Sequence, residues 1–330
     1  MDFRTKIPSV NPGFNLSFND RIMVVGSCFA ENIGAKLDVN GFNVLTNPFG
    51  ILYNPASIHS CLNRLVSDTH FLVSDLVEYG GLYHSFNHHG SFSNTDEMAT
   101  LGHINSSFEI AVSHFKKTTC LILTFGTAWV YALTEDGKIV ANCHKFPSSR
   151  FNRFRLSVES ITEDYMELFS VLKKNNPELK IILTVSPIRH WKDGVHENTI
   201  SKSILHLAAD ELCKKVENVF YYPSYEIMMD DLRDYRFYDS DLLHPSQLAK
   251  DYIWDHFSET FLTKPAREIA KQVQQIRKAM NHRPLHKNDD AYIRFAKKHI
   301  ASIEMLKTSV PELDLSDELI FFENIPDKKV

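Results

Sequence analysis

Four short apolar runs constrain the fold of this chain more than any other feature. The runs are rich in β-branched residues, and each ends where turn-forming residues begin. None of them alternates polar with apolar side chains, which is typical of strands that are covered on both faces. They lie at residues 22–25, 121–125, 181–185 and 219–222, with residues 42–45 as a weaker fifth candidate.

Helical patterns separate these runs, at residues 31–37, 55–65, 107–115, 158–175 and 201–216. Strands that alternate with helices predict an α/β fold in which a parallel sheet is sandwiched by helices, with right-handed crossovers. In such sheets, ligands bind beyond the carboxyl ends of the strands. We therefore expect the functional site among the loops at residues 26–30, 47–55, 126–129, 186–191 and 223–226.

The character of the sequence changes after about residue 265. Residues 267–280 and 290–307 have the pattern of charged amphipathic helices. We predict a main domain over residues 1–264 and a C-terminal helical extension over residues 265–330. The extension either packs on the main domain or mediates dimerisation, so the oligomeric state stays open, with a homodimer as one alternative.

Charge and composition argue against several classes of protein. The formal net charge of −5 disfavours a general nucleic-acid binder, which usually presents a basic face. The longest uncharged stretch near the start, residues 22–30, is too short to span a bilayer, and no apolar signal segment precedes it. The five cysteines are scattered without a CxxC pair, as reduced thiols are. We predict a cytoplasmic protein that binds neither nucleic acid nor membrane.

A candidate nucleophile follows the first apolar run, in the pentapeptide Gly26-Ser27-Cys28-Phe29-Ala30. A helical pattern begins there, so the Ser27 hydroxyl would lie beside free backbone N–H groups that stabilise an oxyanion. Two alternatives stay open. Ser27 could simply cap the helix, and Cys28 could be the nucleophile, because a thiol at a helix start can have a lowered pKa.

A candidate base lies more than two hundred residues later, in Asp241-Leu242-Leu243-His244-Pro245. Spacing of three residues brings a carboxylate next to an imidazole in a turn or at a helix start. Asp241 would then orient His244 and stabilise its charged form after it takes the proton of Ser27. Alternatively, Asp241 is a helix cap and His244 a surface residue. Serine, aspartate and histidine in this arrangement favour a serine esterase.

These motifs resemble the SGNH, or GDSL-like, hydrolases, and more closely the bacterial GSCFA-domain family, named for the pentapeptide at residues 26–30. The resemblance runs from about Ile22 to Phe257. It implies a flavodoxin-like three-layer fold, hydrolysis or transfer of acyl esters, and no cofactor. Further stretches that resemble the family pattern are Asn47-Pro48-Phe49-Gly50-Ile51, Tyr53-Asn54-Pro55, Thr124-Phe125-Gly126-Thr127-Ala128-Trp129, Asn142-Cys143-His144-Lys145 and Thr184-Val185-Ser186-Pro187.

The resemblance also implies roles for individual residues. Ser27 is the nucleophile, His244 the base and Asp241 its partner. The backbone N–H groups of Ser27 and Gly50 would form the oxyanion hole. A third donor departs from the superfamily pattern, because Gly126-Thr127-Ala128-Trp129 stands where Gly-x-Asn-Asp is usual. Either the Thr127 hydroxyl or the Asn142 amide would replace it.

Several other residues at the predicted strand ends are candidate substrate contacts. The planar fork of Arg189 suits a carboxylate or phosphate, although a surface ion pair explains it equally well. Cys143 and His144 are adjacent, not spaced like structural zinc ligands, so we predict no metal. The complete set of predicted substrate contacts is Asn47, Gly126, Trp129, His144, Arg189 and His190.

The sequence therefore predicts a serine-dependent acyl-ester hydrolase or acyltransferase. Superfamily analogy suggests a small-molecule or carbohydrate ester as substrate. Two alternatives come from other classes: a non-catalytic ligand-binding protein on the same scaffold, and a cysteine-dependent enzyme that uses Cys28.

Overall fold

The computed structural model describes residues 4–281 and 290–325, so parts of both predicted domains (residues 1–3, 282–289 and 326–330) lie outside the described residues. The chain divides into two compact units. The first consists of the described parts of Met1–Pro8, Arg21–Gly34 and Leu45–Asp255, and the second of the described parts of Ser9–Asp20, Ala35–Val44 and His256–Val330. The second unit thus includes three segments that the sequence division at residue 264 assigns to the main domain, namely Ser9–Asp20, Ala35–Val44 and residues 256–264.

The strands and helices follow one another along the chain as the apolar runs predict, with additions. The strands are β1 (Arg21–Gly26), β2 (Asn43–Thr46), β3 (Leu76–Tyr79), β4 (Leu82–Ser85), β5 (Cys120–Phe125), β6 (Trp129–Leu133), β7 (Ile139–Val140), β8 (Phe151–Arg155), β9 (Lys180–Val185) and β10 (Val219–Tyr222). The helices are α1 (Cys28–Val39), α2 (Pro55–Ser67), α3 (Glu97–Phe115), α4 (Val158–Asn175), α5 (Gly194–Lys215), the single turn α6 (Ser224–Glu226), α7 (Gln247–Phe261), α8 (Lys264–Met280), α9 (Asp290–Ser309) and α10 (Ser316–Glu323).

A five-stranded sheet forms the centre of the fold, in the order β10-β9-β5-β1-β2. This is the strand order of flavodoxin-like doubly wound sheets. The pairs β1–β5, β5–β9 and β9–β10 are parallel, with Gly26 opposite Thr124 and Thr124 opposite Thr184. The prediction of an α/β fold with a parallel sheet flanked by helices is therefore confirmed, and all five apolar runs are strands of this sheet.

Helices of the first unit cover the sheet with apolar side chains and share one core with it. In α4, the periodic residues Ile161, Tyr165 and Phe169 are buried, and the Tyr165 hydroxyl donates to the carbonyl of Pro55 at 2.9 Å. A Ser157 cap closes the start of this helix by accepting from the Ser160 N–H. The helical period read from the sequence thus corresponds to the buried face.

Two small antiparallel assemblies were not predicted: the hairpin β3–β4 and the three-stranded sheet β7-β6-β8. The apolar runs identify the strands of the central sheet, which are continuously apolar or nearly so. Strand β8 instead exposes Asn152, Arg153 and Phe154, so it lacks such a run. The small sheet matters for function because Trp129, on β6, and Arg153 reach the cleft described below.

The second unit is built mainly of helices. Helices α8, α9 and α10 contact one another, and α8 is tied to α10 by an ion pair between Arg277 and Glu318 at 2.6 Å. Both helices that the sequence predicted beyond residue 265 are present as α8 and α9, whereas α10 was not predicted. Within residues 4–281 and 290–325, no helix combines the length and the apolar character that crossing a bilayer requires.

Candidate active site

A cleft of about 760 Å³ lies at the carboxyl ends of the central strands, in the first unit. It is lined by the residues that follow three neighbouring strands: Ser27 after β1, Thr127 after β5 and Ser186 after β9. The loop that precedes α7 contributes His244. Parallel strands in register bring their ends to one edge of the sheet, and the predicted loops meet there for that reason.

Ser27 joins β1 to α1 and faces this cleft. The preceding Gly26 has φ of +148°, and a Cβ there would lie 2.3 Å from the carbonyl oxygen of Thr124, so only glycine fits this turn. The Ser27 side chain is 1% exposed, and its Oγ accepts from the Phe29 N–H at 3.3 Å. Ser27 therefore caps α1 and lines the cleft at the same time, beside the positive end of the helix dipole.

Asp241 and His244 form a closed pair in the turn before α7. The Asp241 Oδ2 lies 2.5 Å from the His244 Nδ1, and its Oδ1 accepts the N–H groups of Leu243 and His244 at 2.9 Å each. The turn is closed by the Asp239 N–H, which donates to the His244 carbonyl at 2.7 Å. The predicted spacing thus produces the predicted contact.

These hydrogen bonds lower the pKa of Asp241 to about 2, the backbone N–H of His244 being the largest cause. The carboxylate is thus ionised at neutral pH. Its side chain is 47% exposed, and contact with water also favours the charged form. Because Nδ1 of His244 faces the carboxylate, Nε2 is the ring nitrogen left to accept a proton. This arrangement is that of an oriented general base.

Ser27 and His244 line the same cleft but are not hydrogen-bonded to each other. The Ser27 Oγ accepts from Phe29, and within the described part of the chain no acceptor takes its proton. Catalytic hydrogen bonds of this kind are often long without substrate and tighten when it binds. The structure therefore shows the predicted Asp241–His244 contact and places Ser27 and His244 in one cleft, without a hydrogen bond between these two side chains.

Most predicted oxyanion donors have other partners. The Ser27 N–H donates to the Thr124 carbonyl at 3.3 Å, a long hydrogen bond, and the Gly50 N–H donates to the Asn47 carbonyl at 2.7 Å. The Thr127 Oγ1 lies 3.1 Å from the Ser201 Oγ and accepts from the Trp129 N–H. Gly50 does not line the cleft, so its N–H is a turn contact and not an available donor.

Two side-chain amides remain as donors in the cleft. Asn142 accepts the His144 N–H at 2.9 Å through Oδ1, and Asn54 accepts the Ser57 N–H at 2.8 Å through Oδ1. Neither Nδ2 has a hydrogen-bond partner among the described residues, and both asparagines line the cleft. Asn142 was predicted; Asn54 was not, because Asn before Pro at a helix start is already explained as a cap.

Three predicted substrate contacts have structural roles and do not line the cleft. Asn47 has φ of 46° and accepts the Gly26 N–H through Oδ1 at 2.8 Å. His144, with φ of 46°, lies 2.8 Å from the Ser85 carbonyl through Nε2, and burial lowers its pKa to about 4. Gly126 allows close packing, because a Cβ there would lie 2.8 Å from the Tyr53 carbonyl oxygen.

Trp129, Arg189 and His190 do line the cleft. The His190 ring meets Tyr53 edge to face, with 5.8 Å between centroids. Burial, followed by the nearby Lys202, lowers the pKa of His190 to about 4, so this imidazole is neutral at neutral pH. The described residues place no carboxylate in ion-pair contact with His190, which distinguishes it from His244.

Lys202, a buried lysine on α5, was not predicted as part of the site. Its side chain is tied to two strand ends, because Nζ donates to the carbonyls of Gly126 and Ser186 at 2.7 Å each. Lys202 is 2% exposed, and none of the described carboxylates pairs with it. Burial lowers its pKa to about 7. A lysine in an amphipathic helix is normally exposed, so the sequence pattern pointed to the surface.

Cys28 also lines the cleft, next to the serine. Burial, reinforced by Glu31, raises the pKa of the Cys28 thiol. Reactive cysteines have the opposite shift, toward the thiolate. The electrostatics therefore weigh against Cys28 as nucleophile. Within the described ranges, no group of three or more His, Cys, Asp or Glu side chains is arranged to hold a metal ion.

Comparison with protein families gives the same family as the pentapeptide at residues 26–30. The model of the GSCFA family matches residues 21–257, which is most of the chain, and that of the GSCFA domain protein, C-terminal domain, matches residues 273–325. The chain belongs to the GSCFA family. The resemblance inferred from the pentapeptide is confirmed at this level. A search of curated proteins finds no match.

The buried amine of Lys202 predicts a specific pH dependence of stability. Its pKa is lowered from 10.5 to about 7 on folding, so above pH 7 the unfolded chain binds more protons and stability rises with pH. Between pH 7 and 9 the wild type should gain about 2 kcal/mol in unfolding free energy that the Lys202→Met variant does not gain. Urea unfolding at the two pH values measures this difference.

The exposed Lys214, on the same helix and paired with Asp210, provides the control. Lys214→Met should follow the wild-type pH dependence in this range. A wild type and a Lys202→Met variant that differ by the same amount at both pH values would contradict the buried, titrating amine.

Proposed function

We propose that this protein is a serine-dependent acyl-ester hydrolase or acyltransferase of the SGNH type. The observation that carries the proposal is the Asp241–His244 pair, 2.5 Å apart, at the cleft into which Ser27 faces from a helix start. The order of the motifs supports the superfamily placement, and so does the flavodoxin-like strand order of the sheet. The proposal takes its reaction class from the chemistry of these three residues.

In the proposed reaction, the Ser27 oxygen attacks the ester carbonyl while Nε2 of His244 takes the hydroxyl proton. Asp241 stabilises the imidazolium that forms. Collapse of the tetrahedral intermediate breaks the bond to the alcohol, which leaves with the proton from His244. Water or a second hydroxyl then attacks the acyl-enzyme, again with His244 as base, and releases Ser27.

The oxyanion of this reaction would be stabilised by donors at one side of the cleft. The start of α1 contributes its positive dipole end, and Asn54 and Asn142 contribute amide N–H groups. Lys202 links the ends of β5 and β9, next to Thr127 and Ser186 of the cleft lining. These contacts replace the Gly50 donor that the superfamily pattern implies.

A small-molecule or carbohydrate ester is the substrate class that we propose. The cleft contains the aromatic side chains of Tyr53, Trp129, Tyr131 and Trp191, which provide flat apolar surfaces for a sugar ring or an acyl chain. All five cysteines are free thiols. A reducing compartment such as the cytoplasm agrees with this, and we include that location in the proposal.

A non-catalytic ligand-binding protein is the second candidate. It is favoured by one observation, the absence of a hydrogen bond between Ser27 and His244 among the described contacts, with the Ser27 Oγ instead capping α1. In that case the cleft would bind its ligand without turnover. The two candidates differ in whether Ser27 reacts.

Replacing Ser27 tests the choice of nucleophile. Ser27→Ala should reduce hydrolysis of p-nitrophenyl acetate by about 10³-fold or more, since the attacking atom is lost. The matched control is the adjacent Cys28→Ser, which should keep activity within about threefold, because its thiol is protonated and does not attack. Steady-state kinetics measures both, with thermal unfolding to confirm folding.

Loss of activity in Cys28→Ser together with full activity in Ser27→Ala would reverse the assignment. No hydrolysis by the wild type, combined with tight binding of an ester, would favour the non-catalytic candidate.

The role of Asp241 can be separated from its place in the turn. Asp241→Asn keeps the size of the side chain but removes the negative charge that orients His244, so kcat should fall by about 10²–10⁴-fold. Asp239→Asn, in the same turn, is the control, because among the described residues the Asp239 side chain accepts a hydrogen bond from the Ser240 N–H alone. A kcat that is equal in the two variants would argue against a triad.

A further inference from the structure

Arg189 lies in the wall between two cavities. It follows β9, in the loop that carries His190, and lines both the active-site cleft and a side cavity of about 260 Å³. Leu243, next to His244, also lines both. Ser27 and Arg189 therefore line the same cleft.

The guanidinium of Arg189 is poorly matched by the protein around it. Its Nη2 contacts the Met229 sulfur at 3.2 Å, a weak acceptor, and the guanidinium also hydrogen-bonds the hydroxyl of Tyr225, which carries no formal charge. Its Nε is buried and has no hydrogen-bond partner. No carboxylate of the described residues forms an ion pair with it. A guanidinium has five N–H donors. Burying a donor without a hydrogen-bond acceptor costs free energy, and a ligand that supplies the acceptor removes this cost.

Neighbouring arginines are neutralised, which makes Arg189 distinctive. Arg153, also in the cleft wall, forms an ion pair with Asp193. Arg233, in the side cavity, forms one with Asp230 at 3.4 Å. The two neighbouring arginines thus form ion pairs with carboxylates, whereas Arg189 forms none with any described residue.

A second side chain of the cleft, Lys192, adds to the positive charge of Arg189. Lys192 Nζ lies 3.1 Å from the Tyr131 hydroxyl, and none of the described carboxylates pairs with this lysine. Asp193, which also lines the cleft, already pairs with Arg153. The open charges of the cleft wall are therefore positive, and such a wall attracts anionic ligands.

We propose that Arg189 binds an anionic group, a carboxylate or a phosphate, on the ester that Ser27 cleaves. The planar fork of arginine matches both groups with two parallel hydrogen bonds. The inference rests on the proposed esterase function for its reacting centre and adds a substrate class, an ester that carries a negative charge. Arg189 is then the residue that determines specificity.

Two esters of equal chain length test the proposal. Mono-p-nitrophenyl succinate carries a terminal carboxylate where p-nitrophenyl butyrate carries a methyl group. The wild type should have a kcat/KM about tenfold or more higher for the succinate ester, since a charge-assisted pair of hydrogen bonds contributes about that much. Arg189→Met should abolish this preference, and Arg189→Lys should restore part of it.

Arg236→Met is the matched control, because Arg236 is an exposed arginine of a nearby turn that pairs with Asp234 and does not line either cavity. It should keep the wild-type preference. Equal use of both esters by the wild type would overturn the proposal. An Arg189→Met variant whose kcat/KM falls by the same factor for both esters would also overturn it.

A binding experiment separates this inference from the esterase function. Ser27→Ala, which does not turn over, is titrated calorimetrically with monomethyl succinate, monomethyl phosphate and methyl butyrate. Whichever of monomethyl succinate and monomethyl phosphate binds more tightly shows whether the site takes a carboxylate or a phosphate. The Ser27→Ala/Arg189→Met double variant should bind that anion no more tightly than methyl butyrate. Absence of hydrolysis by the wild type would contradict the esterase function alone, whereas equal binding of all three compounds would overturn anion recognition by Arg189.

Discussion

Everything at the candidate site depends on the parallel register of β1, β5 and β9. Gly26, Thr124 and Thr184 lie side by side in the sheet, so the residues that follow these strands emerge at one edge. The interior of the strands is apolar and buried on both faces. Polar groups can therefore gather only beyond the strand ends, where Ser27 meets the cleft.

Buried polar contacts then hold that edge in place. Lys202 links the carbonyls of Gly126 and Ser186, the residues after β5 and β9, and so ties neighbouring strand ends together from below. Asn47 does the same for β1 by accepting the Gly26 N–H. A scaffold fixed in this way can keep a nucleophile at one position, while the Asp241–His244 pair sits in a more exposed turn. Ser27 thus lies on a rigid element and His244 in a turn, and no hydrogen bond joins the two side chains among the described contacts.

Sequence patterns revealed the parts of the structure that follow simple rules of burial. Strands β1, β5 and β9 were predicted because residues buried on both faces are continuously apolar. The Asp241–His244 contact was predicted because three-residue spacing closes a turn. Strand β8 was missed because Arg153 and its exposed neighbours break that pattern. Lys202 was missed because its burial depends on two carbonyl groups from distant strands, which no local pattern encodes. Likewise, the Gly50 donor implied by resemblance is used within its own turn.

A structure of the protein after reaction with a serine-directed phosphonate ester would show whether Ser27 and His244 act together. We expect phosphorus bonded to the Ser27 Oγ and a phosphonyl oxygen within about 3 Å of the Asn54 or Asn142 amide nitrogen. We also expect Nε2 of His244 within about 3.2 Å of an oxygen on phosphorus. A protein that forms no adduct, or an adduct at Ser27 that His244 does not reach, would contradict the proposed triad.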